Sequence, residues 1–254
     1  MNAYLGRILV VGGTAVLLTG AGAAAPLALR RADAFRVAHV EVTGTRLLPV
    51  ADAIAASGIT GETSVFDSAE PWRLALLDHP MVADARIERR LPGTVRLELR
   101  ETEPVALART PELVPVDALG RLLPIDPAAA GLDLPVLASV AVPGAAGRLD
   151  ATGRRLAEAA ALVRRLDPAL AGWISELAPA AGTDVRWVLR AAGAPEVWLP
   201  ALPSPRMLQQ VRLTLADLAA RGELGRVMRL DARGPEQVIV KLQGGGAVRD
   251  ETAG

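Results

Sequence analysis

The chain has 254 residues, and 28 Lys and Arg balance 28 Asp and Glu, so the formal net charge is zero and no whole-chain positive field is available to bind nucleic acid. It contains no cysteine and two histidines, which excludes disulfides and thiolate metal sites and argues against a His-rich metal centre. Aromatic residues make up 3% of the sequence, so the cores must be aliphatic, and aromatic ligand cages or base-stacking surfaces are not expected.

The amino-terminal part contains a long apolar segment. Residues 8–29 carry no charge and are flanked by Arg7 on one side and by Arg30 and Arg31 on the other. As an α-helix the segment is about 33 Å long, which matches the roughly 30 Å hydrocarbon core of a bilayer. We therefore expect a single transmembrane helix over residues 8–29. Its principal anchoring side chains are Ile8, Leu9, Val10, Val11, Val16, Leu17, Leu18, Leu27 and Leu29.

Two other interpretations of this segment remain open. A cleaved signal peptide would use the apolar stretch as its h-region and the small residues before Pro26 as its cleavage region. A buried helix of a soluble domain is the other, but glycines at 12, 13 and 20 make the segment a weak soluble helix.

The next part, residues 35–103, has the pattern of a small α+β domain. Alternating valines in residues 37–42 predict a strand. A helix opened by Pro49 follows, with Val50, Ala53 and Ile54 on one face, and a second helix is expected between Pro71 and Pro80. Residues 83–89 and 94–101 predict a hairpin. The order β-α-α-β-β predicts a three-stranded sheet covered on one face by two short helices.

Four blocks in this part resemble the POTRA domain of bacterial cell division proteins of the FtsQ/DivIB type. They occur in the family's order and are residues 40–44 (VEVTG), 77–85 (LDHPMVADA), 89–95 (RRLPGTV) and 101–106 (ETEPVA). The resemblance implies a cytoplasmic N-terminus at residues 1–7, a POTRA domain at 35–103 and a second, "β domain" at 104–243. We expect the Gly-rich tail, residues 244–254, to be disordered.

The second domain is predicted to be mixed α/β, with antiparallel hairpins and two helices. The helices are expected over residues 149–166 and 206–220, the latter with a core stripe at Met207, Val211, Leu215 and Leu218. The predicted strand pairs are 113–117 with 121–125, 184–189 with 196–199, and 227–230 with 238–242, and residues 173–177 form a further strand. The complete fold is therefore α+β: a transmembrane helix, a POTRA domain and this mixed domain.

Catalytic motifs are missing from the sequence. It lacks a phosphate-binding loop, a G-x-S-x-G elbow and an H-E-x-x-H helix. A catalytic carboxylate pair among Asp117, Asp126 and Asp133 remains an alternative, although aspartate is common in turns. We expect no enzyme activity, no cofactor, no metal and no small-molecule substrate.

A catalytically empty chain with small sheets is suited to binding other proteins, because a sheet edge offers unpaired N–H and C=O groups to an added strand. The resemblance implies that the last strand takes a strand from FtsB/FtsL-type subunits, with the septal peptidoglycan synthase complex as a further partner, at the inner membrane of the division septum. The residues concerned are Gln237, Val238, Ile239, Val240, Lys241 and Leu242.

Two alternatives accompany this hypothesis. The same Val-Ile-Val run is also typical of an interior strand, which would leave no edge to offer. At the level of function, an exported POTRA-bearing transport or chaperone component is the alternative to a division scaffold.

Overall fold

The computed structural model describes residues 32–138, 140–142, 147–182, 184–191, 193–234 and 237–243. The expected transmembrane helix and the Gly-rich tail lie outside these residues. Within them, no helix combines the length and the apolar character needed to cross a membrane. The chain divides into two compact units after Thr102.

From residue 32 onward, where the structure describes it, the first unit is a three-stranded sheet with two helices. Its sheet has the order β1-β3-β2, with β1 parallel and β2 antiparallel to the central strand β3. A short 3-10 turn, Asp33–Phe35, precedes the sheet. The elements are β1 (His39–Thr43), α1 (Val50–Ser57), α2 (Glu70–Asp78), β2 (Val82–Arg90) and β3 (Thr94–Glu101).

The predicted β-α-α-β-β order is confirmed in this unit. Strand β3 alternates as expected, with Val95, Leu97 and Leu99 buried and charged residues between them. Helix α1 departs from the prediction at one position: Val50 is half exposed, and the buried side chains are Ala53 and Ser57. Val50 is the first residue of the helix, so it lies at the margin of the packed face.

In its described residues, the second unit is built on one eight-stranded sheet with three helices. Its strand order is β11-β10-β9-β8-β7-β6-β4-β5. The strands are β4 (Ala106–Arg109), β5 (Leu113–Val116), β6 (Val136–Leu137), β7 (Ile174–Pro179), β8 (Val185–Leu189), β9 (Glu196–Leu199), β10 (Val227–Asp231) and β11 (Ile239–Leu242). The helices are α3 (Ala151–Leu166), α4 (Pro168–Ala171) and α5 (Pro205–Ala220), and a 3-10 turn lies at Leu224–Arg226.

The core of this unit lies between one face of the sheet and helices α3 and α5. Alternate residues of β8 and β9, with Trp187 the largest, are buried there against the apolar stripes of the helices. Helix α3 packs over β6 and β7, and α5 packs on α3. Asp150 caps α3 by accepting the N–H of Gly153 at 2.7 Å, and Ser204 caps α5 in the same way.

Several details differ from the sequence-based expectations. The pairing predicted between 113–117 and 121–125 is present only as an isolated bridge of Val116 with Leu122, flanked by two backbone hydrogen bonds, Asp117 N–H to Arg121 and Leu123 N–H to Pro115. The regular hairpin at this place is formed by β4 and β5. Strand β4 was not predicted. In α5 Leu208 is buried in the core, whereas Met207 is only half-buried. The sheet also contains parallel pairs, β4 with β6, β6 with β7 and β9 with β10, beside the expected antiparallel hairpins.

Candidate partner-binding site

Strand β11 is the edge strand of the larger sheet. It is shorter than predicted, because the strand begins at Ile239 rather than at Gln237. It pairs antiparallel with β10, with Val240 opposite Leu230. Within the part of the chain that the structure describes, no strand lies on its outer side.

The outward backbone groups of β11 can be identified from its ladder. Gln243 donates its N–H to the carbonyl oxygen of Arg226 on the β10 side, at 2.7 Å. Successive N–H groups of a strand point to opposite sides, so the N–H groups of Lys241 and Ile239 also face β10. Those of Leu242 and Val240 therefore face the free edge.

The opposite edge of the sheet, β5, is partly occupied by the chain itself. The carbonyl oxygen of Pro115 accepts the N–H of Leu123 at 2.8 Å, and proline has no N–H of its own to offer. Leu122 also bridges to Val116. Of the two edges, β11 is the one better suited to receive an added strand.

The side chains of β11 alternate between the two faces of the sheet. Val240 and Leu242 pack against the core, as does Val238 just before the strand. Ile239 is 60% exposed, and with Lys241 it lies on the opposite face, because directly paired residues share a face and these two pair with Asp231 and Arg229. This face continues onto β8, β9 and β10.

Beside β11, that face carries a set of side chains that we call the charged aromatic cluster. Its members are Asp184, Arg186, Glu196, Trp198, Arg229, Asp231 and Arg233. At its centre the ring of Trp198 is covered by two guanidinium groups: that of Arg229 lies 4.0 Å and that of Arg233 4.9 Å from the ring centroid. Each contact is a cation–π interaction, which favours a fixed position for the ring.

Glu196 connects the strands of the cluster. Its carboxylate accepts hydrogen bonds from Arg186 at 2.6 Å and from the indole N–H of Trp198 at 3.0 Å. Partial burial acts to raise the pKa of Glu196, but these hydrogen bonds and the charges of Arg186 and Arg229 outweigh it, so the pKa lies below its ordinary value. The carboxylate therefore stays ionised at neutral pH.

Arg233 holds the end of the cluster that lies nearest β11. It donates to Asp231 at 2.5 Å and to Asp184 at 3.3 Å. The Arg233 hydrogen bonds hold the pKa of Asp231 below its ordinary value. A groove of about 370 Å³ lies here, lined by Asp184, Asp231, Arg233, Gly234, Gln237 and Ile239. A segment that adds along β11 would lie beside this groove.

The cluster was not predicted from the sequence. Its residues come from three strands and the loops beside them, and they meet only because β9 pairs with β10 in parallel, with Asp231 opposite Trp198. The available signal was polar side chains at alternate positions of β8, β9 and β10. An Arg or Trp at such positions indicates a solvated face as readily as a binding surface.

The aspartates considered as a carboxylate pair each have local partners. Asp117, which is 3% exposed, accepts the N–H groups of Leu119 and Arg121 and pairs with the Arg121 side chain at 2.6 Å. Asp126 accepts the N–H of Ala128, and Asp133 pairs with Arg190. Within the described residues, no group of three or more His, Cys, Asp or Glu could hold a metal ion.

The comparisons with known proteins agree with the fold of the first unit. The family described as "POTRA domain, FtsQ-type" matches residues 35–102. Among curated proteins, the chain is 32% identical over 176 residues to a cell division protein FtsQ of Myxococcus fulvus, covering 66% of this chain and 60% of that protein.

Two further relatives carry the same type of name. The chain is 28% identical over 239 residues to FtsQ of Anaeromyxobacter sp. (strain K), covering 89% of this chain and 79% of the relative. It is 38% identical over 71 residues to DivIB of Geobacillus kaustophilus, which is 28% of this chain and 27% of that protein. Residues 35–102 therefore match the POTRA domain of the FtsQ type, and the chain as a whole is similar to cell division proteins of the FtsQ/DivIB type.

Proposed function

We propose that this chain is a non-catalytic scaffold of the bacterial division complex. Residues 8–29 would hold it in the inner membrane as a single-pass helix, with residues 1–7 in the cytoplasm and both folded units outside it at the septum. It would bind other division proteins and link the early and late steps of assembly. The FtsQ-type POTRA domain and the names of the curated relatives support this role.

The observation that carries the binding part of the proposal is the free outer side of β11. An extended segment can add to such an edge, where main-chain hydrogen bonds supply affinity and the neighbouring side-chain pockets supply specificity. The outward N–H and C=O groups of Val240 and Leu242 would form the ladder. Exposed Ile239 and the groove at Arg233 would select the side chains of the added strand.

The partner that we propose for this edge is a strand from a small membrane subunit of the FtsB/FtsL type. The septal peptidoglycan synthase complex would then be reached through the assembly. The predicted contact segment is Gln237–Leu242, of which the structure assigns residues 239–242 to the strand. No chemistry is required of this chain in that role.

A proline substitution tests the edge directly. Val240→Pro removes an outward N–H and places a ring on the free side, while the N–H groups that face β10 remain. We expect capture of purified FtsB/FtsL-type subunits by the full chain to fall at least about tenfold, since one hydrogen bond and the close approach of the strand are lost. Pull-down titration measures the loss.

Two matched variants complete this experiment. Val240→Thr keeps both the N–H and the branched shape, so it should capture the subunits as the unchanged chain does. Ile239→Pro removes an N–H that faces β10, so hydrogen exchange of the β10 amides should become faster in this variant. In Val240→Pro the β10 amides should stay protected. Undiminished capture by a folded Val240→Pro variant would refute docking at this edge.

Depletion in the source organism tests the cellular role. A division scaffold predicts filamentous cells without septa, seen by microscopy, and recovery of the protein with the inner-membrane fraction. Normal septation combined with outer-membrane defects, or a free processed product, would instead support the exported transport or chaperone component.

A further inference from the structure

A second concave surface lies on the helix layer of the larger unit, away from β11. It is a groove of about 500 Å³ that runs along the outer side of α3. Two exposed leucines flank it, Leu119 at 60% and Leu202 at 63% exposure. Its lining residues are Ala118, Leu119, Arg154, Glu158, Ala161, Leu162, Arg165 and Leu202. We call it the α3 groove.

The floor of the α3 groove is one stripe of a single helix. Arg154, Glu158, Ala161, Leu162 and Arg165 follow one another at intervals of three or four residues, apart from the adjacent pair 161–162, so they lie along one face. From 154 to 165 the stripe is about 16 Å long, or three helical turns. A groove of this length matches three turns of a partner helix anchored at i, i+3 or i+4, and i+7.

The exposed side of α3 has an excess of positive charge. Arg154 and Arg165 line the groove, Arg155 and Arg164 are exposed on the same helix outside the lining, and Glu158 is the one acid of the helix. Arg154 and Arg164 donate to the backbone carbonyl oxygens of Leu149 and Pro104. None of the four arginines forms an ion pair with a described residue, so their charges are available to a partner.

We propose that the α3 groove binds an acidic amphipathic helix of a partner protein, separately from the strand that β11 is proposed to receive. Leucine-type side chains of that helix would pack between Leu119 and Leu202 over Ala161 and Leu162. Its acidic side chains would face the arginines. Helix α3 packs over β6 and β7, and β7 is four strands from β11, or about 19 Å, so both surfaces can be occupied together.

The shape of the site favours a helix over an anionic lipid surface. The apolar side chains Ala161 and Leu162 lie on the groove floor, and the exposed leucines flank it. A flat bilayer would contact the rims and leave the floor empty, whereas a helix fills the space between them. The partner class is therefore a protein segment rather than a membrane.

A designed peptide probes this site. The probe is a fluorescein-labelled helix of about 18 residues, five turns, in which leucines recur at i, i+3, i+4 and i+7 and glutamates occupy the other positions. Anisotropy titration with the full chain in a neutral detergent measures its affinity. We expect binding that weakens with added salt, and binding at least about tenfold weaker for a scrambled peptide and for one with lysine in place of glutamate.

Single substitutions at exposed positions locate the binding. Leu119→Ser and Leu202→Ser should each weaken binding of the acidic peptide about tenfold, because each removes one apolar anchor. Arg165→Glu should weaken it, whereas Glu158→Lys should tighten it about threefold. Leu213→Ser changes an exposed leucine on α5 outside the groove, so it is the matched control and should leave the affinity unchanged.

The outcomes separate the proposal from its competitors. Equal binding of the acidic, scrambled and lysine peptides would overturn it, as would an unchanged affinity in all four groove variants. The chain has no cysteine, so a single dye can be attached at Ala161→Cys. With the chain in nanodiscs, this dye also reports whether the α3 groove is occupied. A dye response to phosphatidylglycerol without a response to the peptide would assign the surface to lipid and refute the helix. Since β11 is unchanged in these variants, strand capture should persist in each.

Discussion

Replacement of Gly44 by alanine should disrupt the POTRA domain far more than the same change at Gly58. Both glycines have a left-handed backbone, with φ of +84° and +70°. A Cβ at Gly44 would lie 1.9 Å from the carbonyl oxygen of Leu99, whereas a Cβ at Gly58 would meet nothing within 4 Å. Leu99 belongs to β3, the central strand of the sheet, so the overlap cannot be relieved by a surface loop alone.

Both substitutions place an alanine in the left-handed backbone region, but only Gly44→Ala also creates a steric overlap. A left-handed alanine costs about 1–2 kcal/mol relative to glycine, and this is the whole effect expected for Gly58→Ala. Gly44→Ala adds the displacement of a central strand, for which forced overpacking suggests about 2–3 kcal/mol more. The additional 2–3 kcal/mol corresponds to roughly a 30- to 150-fold difference in the opening equilibrium.

Hydrogen exchange measured by mass spectrometry checks this prediction on the full chain. Peptides that cover residues 94–101 should exchange about tenfold faster in Gly58→Ala and several hundredfold faster in Gly44→Ala. Peptides from β8, in the other unit, provide the internal reference and should not change. Similar exchange of β3 in the two variants would refute the argument that contact with Leu99 is what requires glycine at position 44.

Three further changes have defined outcomes. Glu101 accepts the N–H groups of residues 46, 47 and 48 at 2.6–2.8 Å, so Glu101→Ala should destabilise the first unit by about 2–4 kcal/mol in urea unfolding, and an unchanged midpoint would contradict this. Asp117→Ala removes a buried acceptor of two N–H groups and one guanidinium and should lower the stability of the second unit by about 3 kcal/mol, read from the exchange of β4. Folding lowers the pKa of Glu196 and of Asp231. Their contribution to the stability of the second unit is therefore complete at pH values above their ordinary pKa values of 4.5 and 3.8, and it is lost as the pH falls through the pKa values of the folded state. A urea midpoint of the second unit that stays constant from pH 7 to about 3 would count against this account.

Local patterns were sufficient for the elements whose burial follows a clear period. Strand β3 alternates strictly and α3 has a capping aspartate with an apolar stripe, and both were predicted within about two residues. Strand β4 was missed because residues 106–108 are buried on both faces, so the alternation that marks a half-buried strand is absent. A run of three small or aliphatic residues carries no other strand signal.

The candidate site depends on pairings that no local pattern contains. Whether the Val-Ile-Val run is an edge or an interior strand follows from the order of eight strands, and the sequence allowed both. The contact of Trp198 with Arg229 and Arg233 requires the parallel register of β9 and β10 across an intervening helix. Long-range register of this kind arises from packing of the whole sheet and can be seen only in the folded unit.

The inequality of the two sheet edges limits how copies of this chain could associate. If two molecules paired through their β11 strands, the open edge of each would be occupied. The other edge, β5, already hydrogen bonds through Pro115 to Leu123, so it could not add a further molecule. Such an encounter would stop at a pair and would not grow into a fibre. Self-association would also remove the ladder groups that a heterologous strand needs, so at high copy number a closed pair would compete with assembly.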